Sequence, residues 1–284
     1  TDEIREIGSR AIERVGLKST DKGLDIISRH CSNGREVVNL VQLCAGIAIN
    51  EDRENITEDD IKWVIENGQY TEILERRVPE KPQIGVVNGL AVHGANIGIL
   101  MEIEVTAKKI CDRKGELKIS GIIEEEEITM NNRKIKRKST AYSSIQNVLT
   151  ALNNIFDLKC EQYDIHINIP GGIPVDGPSA GIAIASAVYS AILRKPIDSK
   201  VAMTGEISLL GVVNPIGGVN AKILAAKKAG ATRVLIPERN WNESFSEYDG
   251  ISIIKVKHIK EVIDLCIIDG INSKIDILSA KGKE

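Results

Sequence analysis

Aromatic side chains are scarce, with 2 Phe, 2 Trp and 5 Tyr in 284 residues. Recognition by stacking on bases or sugars is therefore disfavoured, and the core has to be aliphatic. A charge excess is also missing: 37 basic residues face 40 acidic ones, a net charge of −3. Dedicated nucleic-acid binders carry a basic excess, so no nucleic-acid partner is inferred. The five cysteines, Cys31, Cys44, Cys111, Cys160 and Cys266, form no CxxC pair. Their odd number and wide spacing suit free thiols in a reducing compartment, not a disulfide framework or a zinc site. His30, His93 and His166 lack the HExxH spacing and are read as structural, so no metal is expected. The longest nearly apolar stretch, Ile182 to Leu193, is too short to cross a bilayer. No charged-then-apolar leader opens the chain and its first residue is Thr1, so an interior fragment of a longer protein is expected.

What is present is an ordinary globular composition, 42% hydrophobic and 27% charged, at a length comfortable for two domains. Two periodicities divide it. Up to about Val78, apolar residues recur at helical spacing: Ile4, Ile7, Ile12 and Val15, then Val37, Leu40, Val41, Cys44 and Ile47. Thr57 ahead of Glu58, Asp59 and Asp60 reads as a capped helix start, with Gly68 as its end. Three or four helices and no strand are expected there. Pro79 and Pro82 mark a linker over 79–83. From Ile84 onward, segments 84–92, 97–107, 116–123 and 163–169 read as strands, the last with Asp164, His166 and Asn168 on a wet face. Helices are expected at about 140–157, 178–193, 218–230 and 259–269. Short strands are expected near 201–214, 233–236 and 252–256. The whole is α+β, an all-α region followed by an α/β domain over 84–270, with a fraying polar tail over 271–284. The acidic run Glu124 to Glu127 and the basic run Arg133 to Lys138 are read as a solvated loop in preference to a nucleic-acid patch.

The chemistry points to Pro170-Gly171-Gly172-Ile173-Pro174-Val175-Asp176-Gly177-Pro178-Ser179-Ala180-Gly181, lying after a strand and before an apolar helix. Pro178 suits the first helical position, where its missing N–H loses no partner. Ser179 then lies in the first turn, among free N–H groups that can hold an oxyanion. A helix-capping loop with an idle serine fits this stretch equally well. A serine hydroxyl needs a base, and Lys222 follows 43 residues later in Gly217-Gly218-Val219-Asn220-Ala221-Lys222, at a helix start. The dipole and aliphatic neighbours would both lower its pKa. Taken alone, Lys222 reads as a surface lysine.

Together, however, these segments resemble the Lon proteases. Asp176-Gly177-Pro178-Ser179-Ala180-Gly181 resembles their nucleophile motif. Thr204-Gly205-Glu206-Ile207-Ser208-Leu209, Pro215-Ile216-Gly217-Gly218 and Lys222 resemble the segment carrying their catalytic lysine. The resemblance covers about Ile84 to Ile268 as a protease domain of ribosomal S5 domain 2-like fold. It extends to residues 1–78 as the small helical lid subdomain of an AAA+ ATPase. Tyr70 with Gly68-Gln69 favours the archaeal, membrane-anchored LonB type. The resemblance implies an ATP-dependent serine endopeptidase with a Ser–Lys dyad, degrading unfolded or regulatory proteins. Ser179 would be the nucleophile and Lys222 the base. Thr204 would support the amine, and N–H groups around Gly177 to Ser179, across Pro178, would form the oxyanion hole. Asp176 stays open: ionised beside Lys222, it would oppose the dyad. Mg-ATP would be the cofactor of the full-length enzyme and not of this chain, which has no G-x-x-x-x-G-K-[ST]. Gly16-Leu17-Lys18-Ser19 is a partial echo. Arg35 would sense the γ-phosphate, or be a surface arginine. The partners implied are unfolded proteins and copies of the chain in a ring, a hexamer. The location implied is the cytoplasmic face of the membrane, anchored by a segment outside this chain.

Two other enzymes fit the same loop. Gly177-Pro178-Ser179-Ala180-Gly181 satisfies the G-x-S-x-G elbow of α/β-hydrolase esterases, with His258 as the base, although a Gly/Pro loop replaces the strand that should enter the serine. A phosphate-binding loop of a small-molecule kinase would make Ser179 an anion ligand and keep Lys222 charged. A DNA-binding or docking role for the helical N-terminal region is a third, non-enzymatic reading, in which the acidity around Glu51 to Glu58 disfavours DNA and favours contact with neighbouring subunits.

Overall fold

The computed structural model describes residues 2–31, 33–68, 70, 76–93, 97–121, 125–130, 133–169 and 177–269. The chain forms two compact units, Thr1–Glu75 and Arg76–Glu284. The division falls before residue 78 because the Val78 amide donates to the Ala229 carbonyl at 3.0 Å and its side chain joins the second unit's core. Gln83, the last residue of the expected linker, already opens a strand. The tail over 271–284 lies outside the described residues.

Among its described residues the first unit contains four helices: α1 (Asp2–Arg14), α2 (Asp21–His30), α3 (Gly34–Asn50) and α4 (Glu58–Asn67). Side-chain caps begin three of them. Thr20 accepts from the Gly23 amide, Asn33 from that of Glu36, and Thr57 shares a reciprocal capping box with Asp60. Each such cap is worth about 1 kcal/mol. The periodic apolar residues meet in one core containing Ile12, Ile27, Val37, Leu40, Val41, Cys44, Ile61 and Val64. Asp60, only 8% exposed, is clasped by two 2.8 Å hydrogen bonds from the Arg53 guanidinium. That clasp holds the carboxyl down at about pKa 2.

The second unit opens with β1 (Gln83–Ile84), β2 (Val86–His93), β3 (Ile97–Lys109) and β4 (Leu117–Ser120). A hairpin of β5 (Glu125–Met130) and β6 (Arg133–Lys138) follows, then α5 (Thr140–Phe156), β7 (Tyr163–Asn168) and α6 (Gly181–Leu193). Next come β8 (Pro196–Ile197), β9 (Val201–Met203), β10 (Glu206–Ile207), β11 (Val213–Asn214) and α7 (Val219–Lys228). The last elements are β12 (Arg233–Pro237), β13 (Ser252–Val256) and α8 (Ile259–Cys266).

Seven strands form a mixed sheet in the order β13-β12-β9-β2-β3-β7-β4. Parallel pairs link β13, β12, β9 and β2, whereas β2–β3 and β3–β7 are antiparallel. Period-two alternation gives the sheet two apolar faces. Val201, Met203 and Leu235 join α5, α6 and α8 in one core, while Ala202, Val234 and Ile236 join Val219, Ile223 and Ala226 of α7 in another. In β7, Ile165 and Ile167 are buried and His166 is exposed, as the wet-face pattern predicts. The charged segment read as a solvated loop is instead the β5–β6 hairpin. Its register sets Glu125, Glu126 and Glu127 opposite Lys138, Arg137 and Lys136, with Ile128 opposite Ile135. No helix among the described residues is long and apolar enough to cross a membrane.

Candidate active site

Residues 170–176 lie outside the described residues, and Asp176 with them. Gly177 follows at φ +138°, a conformation that side chains rarely adopt, and Pro178 begins a 3₁₀ turn over Pro178–Ala180 that runs straight into α6. Eleven of the thirteen α6 residues are buried, so the turn is mounted on a fixed core helix. Ser179 is half-buried at its mouth.

The turn is tied to the segment that leaves β9 near the middle of the sheet. The Gly205 amide donates to the Ser179 carbonyl at 2.8 Å, and the Ile182 amide donates to the Gly205 carbonyl at 3.0 Å. Thr204, fully buried, is held from its other side by its amide bond to the Leu235 carbonyl of β12. The Thr204 hydroxyl donates to the Ser179 carbonyl at 3.2 Å.

Lys222 arrives from the opposite face of the sheet. Its amide bonds to the Gly218 carbonyl, closing the first turn of α7. Gly98 of β3 permits this close approach, because a Cβ there would lie 1.9 Å from the Ala221 carbonyl oxygen. Pressed against the sheet, Lys222 is only 3% exposed, and its Nζ donates to Thr204 Oγ1 at 3.2 Å. Burial pushes its pKa down from 10.5 to about 8. An uncompensated amine in apolar surroundings disfavours its own charge. Thr204 therefore links the two residues: its proton goes to the Ser179 backbone and its lone pair receives the lysine. A neutral amine that gives one N–H to Thr204 keeps its lone pair for a proton.

Lys227 and Lys228, later on the same helix, are exposed. Arg35 is exposed at the second position of α3, in the helical unit. The partial phosphate-loop echo does not form a cradle. Lys18 is backbone-bonded to Glu54 and Ile56, and the Ser19 hydroxyl donates to the Ile56 carbonyl at 3.3 Å. These residues do not fit a triphosphate. Among the described residues, no three His, Cys, Asp or Glu side chains gather as a metal site.

His258 is occupied elsewhere. Its Nδ1 accepts from the Lys260 amide at 3.3 Å to cap α8, which places the ring proton on Nε2, donated to the Leu210 carbonyl at 3.0 Å. Both nitrogens serve the backbone, so the hydrolase-triad reading loses its base. The sequence pattern did not reveal the roles of Gly98 and Gly205, because both act through close contacts between segments far apart in the chain.

Residues 55–269 match the Lon protease (S16) C-terminal proteolytic domain. Lon protease 2 of Bacillus subtilis is 48% identical over 268 residues, covering 94% of this chain and 48% of that protein. The Lon protease of Dictyoglomus thermophilum is 31% identical across 93% of this chain and 34% of its own length. The Archaeal Lon protease of Thermococcus kodakarensis is 31% identical across 83% of this chain and 38% of its own length. The chain thus spans between about a third and a half of these relatives.

Proposed function

Since the chain belongs to the Lon protease family and carries its C-terminal proteolytic domain, we propose that Ser179 and Lys222 are the nucleophile and base of a Ser–Lys dyad. The observation that carries this reading is the buried Lys222 amine, its pKa lowered to about 8, sharing Thr204 with Ser179. Ser179 Oγ attacks the scissile carbonyl carbon as the neutral amine takes the hydroxyl proton. The amides of Gly177 and Ser179, the intervening Pro178 having none, face the developing oxyanion. Collapse breaks the C–N bond, the leaving amine takes the proton from the Lys222 ammonium, and an ester remains on Ser179. Water repeats the sequence and releases the carboxylic acid. Thr204 positions the amine throughout. Asp176 would have to stay neutral, or remote from Lys222, in the active state.

The wider organisation belongs to the same proposal. The helical unit would be an AAA+ lid of the LonB type, and the protease unit would have the ribosomal S5 domain 2-like fold. Mg-ATP would bind on residues outside this chain, with Arg35 reaching its γ-phosphate. Copies would close into a hexameric ring, and unfolded proteins would enter as substrates. A membrane anchor outside this chain would hold the ring at the cytoplasmic face. The short helical unit with its four capped or periodic helices supports the lid reading. Identity to the archaeal relative is lower than to the Bacillus one, so the archaeal type rests on the residues around Tyr70.

The test is peptide hydrolysis by the wild type beside Ser179→Ala, Lys222→Ala and the double variant. Each single change is expected to remove at least about a thousandfold of turnover, and the double no more than either single, because the pair acts as a unit. Full activity in either single variant overturns the dyad. Phosphate release from ATP by this chain alone would overturn the placement of the nucleotide.

A further inference from the structure

A carboxamide side chain carries a donor and an acceptor side by side, as a peptide group does, and can pair with both backbone groups of one residue. Asn240 does so. The Ile216 amide donates to Asn240 Oδ1 at 2.8 Å, and Asn240 Nδ2 donates to the Ile216 carbonyl at 2.9 Å. The two residues are 24 positions apart.

The residue so gripped belongs to Pro215-Ile216-Gly217-Gly218, the exposed or half-buried stretch that joins β11 to α7. Thr20, Asn33, Thr57 and Ser139 cap α2, α3, α4 and α5 with their side chains, whereas α7 starts at Gly218 with no such cap. An uncapped helix start behind two glycines has little stiffness of its own. What fixes it is Gly218, at φ +68° and close against Val92, and the Asn240 clasp just ahead. The Gly218 carbonyl then accepts from the Lys222 amide at 3.1 Å, so this start sets where the lysine lies.

Asn240 is itself anchored. It closes a 3₁₀ turn over Glu238–Asn240, directly after β12, in which the Trp241 amide donates to the Glu238 carbonyl at 2.9 Å. The Trp241 ring meets Phe245 edge-on at 5.9 Å, and Lys255 Nζ lies 5.6 Å from a Trp241 ring centre. Phe245 is buried in the core that contains Val219 and Ile223 of α7. β12 also holds the lysine's partner, since the Leu235 carbonyl accepts from the Thr204 amide at 3.1 Å. One short segment, 235–240, thus fixes both the backbone of Thr204 and the backbone that leads to Lys222. The 3.2 Å from Lys222 Nζ to Thr204 Oγ1 is measured between these two attachments.

We propose that Asn240 is a positioning residue of the candidate dyad, holding the loop that delivers Lys222 so that the amine stays against Thr204 and out of water. The effect on cleavage rests on the dyad reading; the effect on the amine does not. Among the described residues burial alone lowers the Lys222 pKa, with no charged neighbour contributing, so water admitted by a loosened start of α7 reverses the shift.

The test is a magnetic-resonance titration of the chain labelled with carbon-13 at lysine Cε, the Lys222 signal being assigned by its loss in Lys222→Met. The wild-type signal is expected to titrate at about 8. In Asn240→Ala the amine is expected to bind its proton about tenfold tighter, a rise of about one pH unit. Peptide kcat/KM at pH 7 falls by the same factor of about ten, and raising the pH beyond the new midpoint regains it. Asn240→Ser, polar but too short to meet both Ile216 groups, is the second variant and gives the same shift. Asn242→Ala is the control from the same loop: it removes the cap on the Ser244 amide and leaves the titration unmoved. An unmoved titration in the Asn240 variants overturns the proposal, as does an equal shift in Asn242→Ala. Loss of the fold in both Asn240 variants, or a loss of turnover that high pH does not regain, also overturns it, by making Asn240 a residue of the fold alone. Turnover surviving in Lys222→Met, with the Asn240→Ala shift intact, would strike the dyad reading alone.

Discussion

Among the described residues, each unit of this chain buries one charged side chain, and the two are treated oppositely. In the helical unit, Asp60 meets the Arg53 guanidinium and the Thr57 amide, and its charged form is favoured, down to about pKa 2. In the protease unit, Lys222 meets a single neutral hydroxyl, and its charged form is disfavoured, down to about 8. Burial is similar, at 8% and 3% exposed, so exposure does not separate them. Partners do. A buried charge with a full complement of opposite charge and hydrogen bonds serves as a clamp, whereas one left with a lone acceptor is poised to exchange a proton.

The contrast can be broken most strongly at Lys222. Lys222→Met keeps the length and removes the amine, and is expected to raise stability near neutral pH by about 3 kcal/mol while abolishing peptidase activity. The sign follows from the folded pKa lying below the unfolded one. Wild-type stability rises with pH between about 8 and 10.5, and the penalty is complete below 8. Denaturant titration at pH 7 checks this; an equal or lower midpoint would mean that the amine is not desolvated. Peptidase rate should fall about tenfold per unit below pH 8, hence about a hundredfold by pH 6, whereas a lysine kept as a phosphate clamp would show no such limb.

At the other pole, Asp60→Ala should lower stability by about 2 kcal/mol, since it deletes the N3 member of the capping box and leaves Arg53 without its bidentate partner. The Asp60 contribution is fully present above about pH 3.8 and lost as pH falls through about 2. Denaturant titrations of the wild type beside Asp60→Ala at several pH values across that window would follow it. Thr204→Val, the smallest change, should lower kcat about tenfold and move the acidic limb of the pH profile, with KM little altered. A shift in KM alone would reduce Thr204 to a packing residue.

Local signals were legible in the sequence, and long-range ones were not. Thr57 as a cap, Ile165 and Ile167 as a buried face, and Lys222 in a first helical turn all follow from neighbours within a few positions. The charged hairpin escaped because its pairing is a register between two segments, which no single run of the sequence displays. Val78 escaped because its partner is Ala229, and His258 because its partners are the Leu210 carbonyl and the Lys260 amide. At the candidate site, the residue types were visible from motif and order. The joining atom, Thr204 Oγ1, depends on the amide bond from Thr204 to β12 and on the glycine that lets α7 approach, and neither leaves a local trace.

The sheet order has a consequence for the newborn chain. Ser179 and Lys222 are linked through Thr204 at the end of β9, which is held between β2, more than a hundred positions earlier, and β12, some thirty positions later. Such distant parallel pairings close late in folding. Until they do, water reaches the amine, which holds its proton at the ordinary lysine value, and the hydroxyl has nothing to activate it. Under the proposed dyad, an incompletely folded copy would be chemically silent, and cutting power would emerge only with the finished sheet.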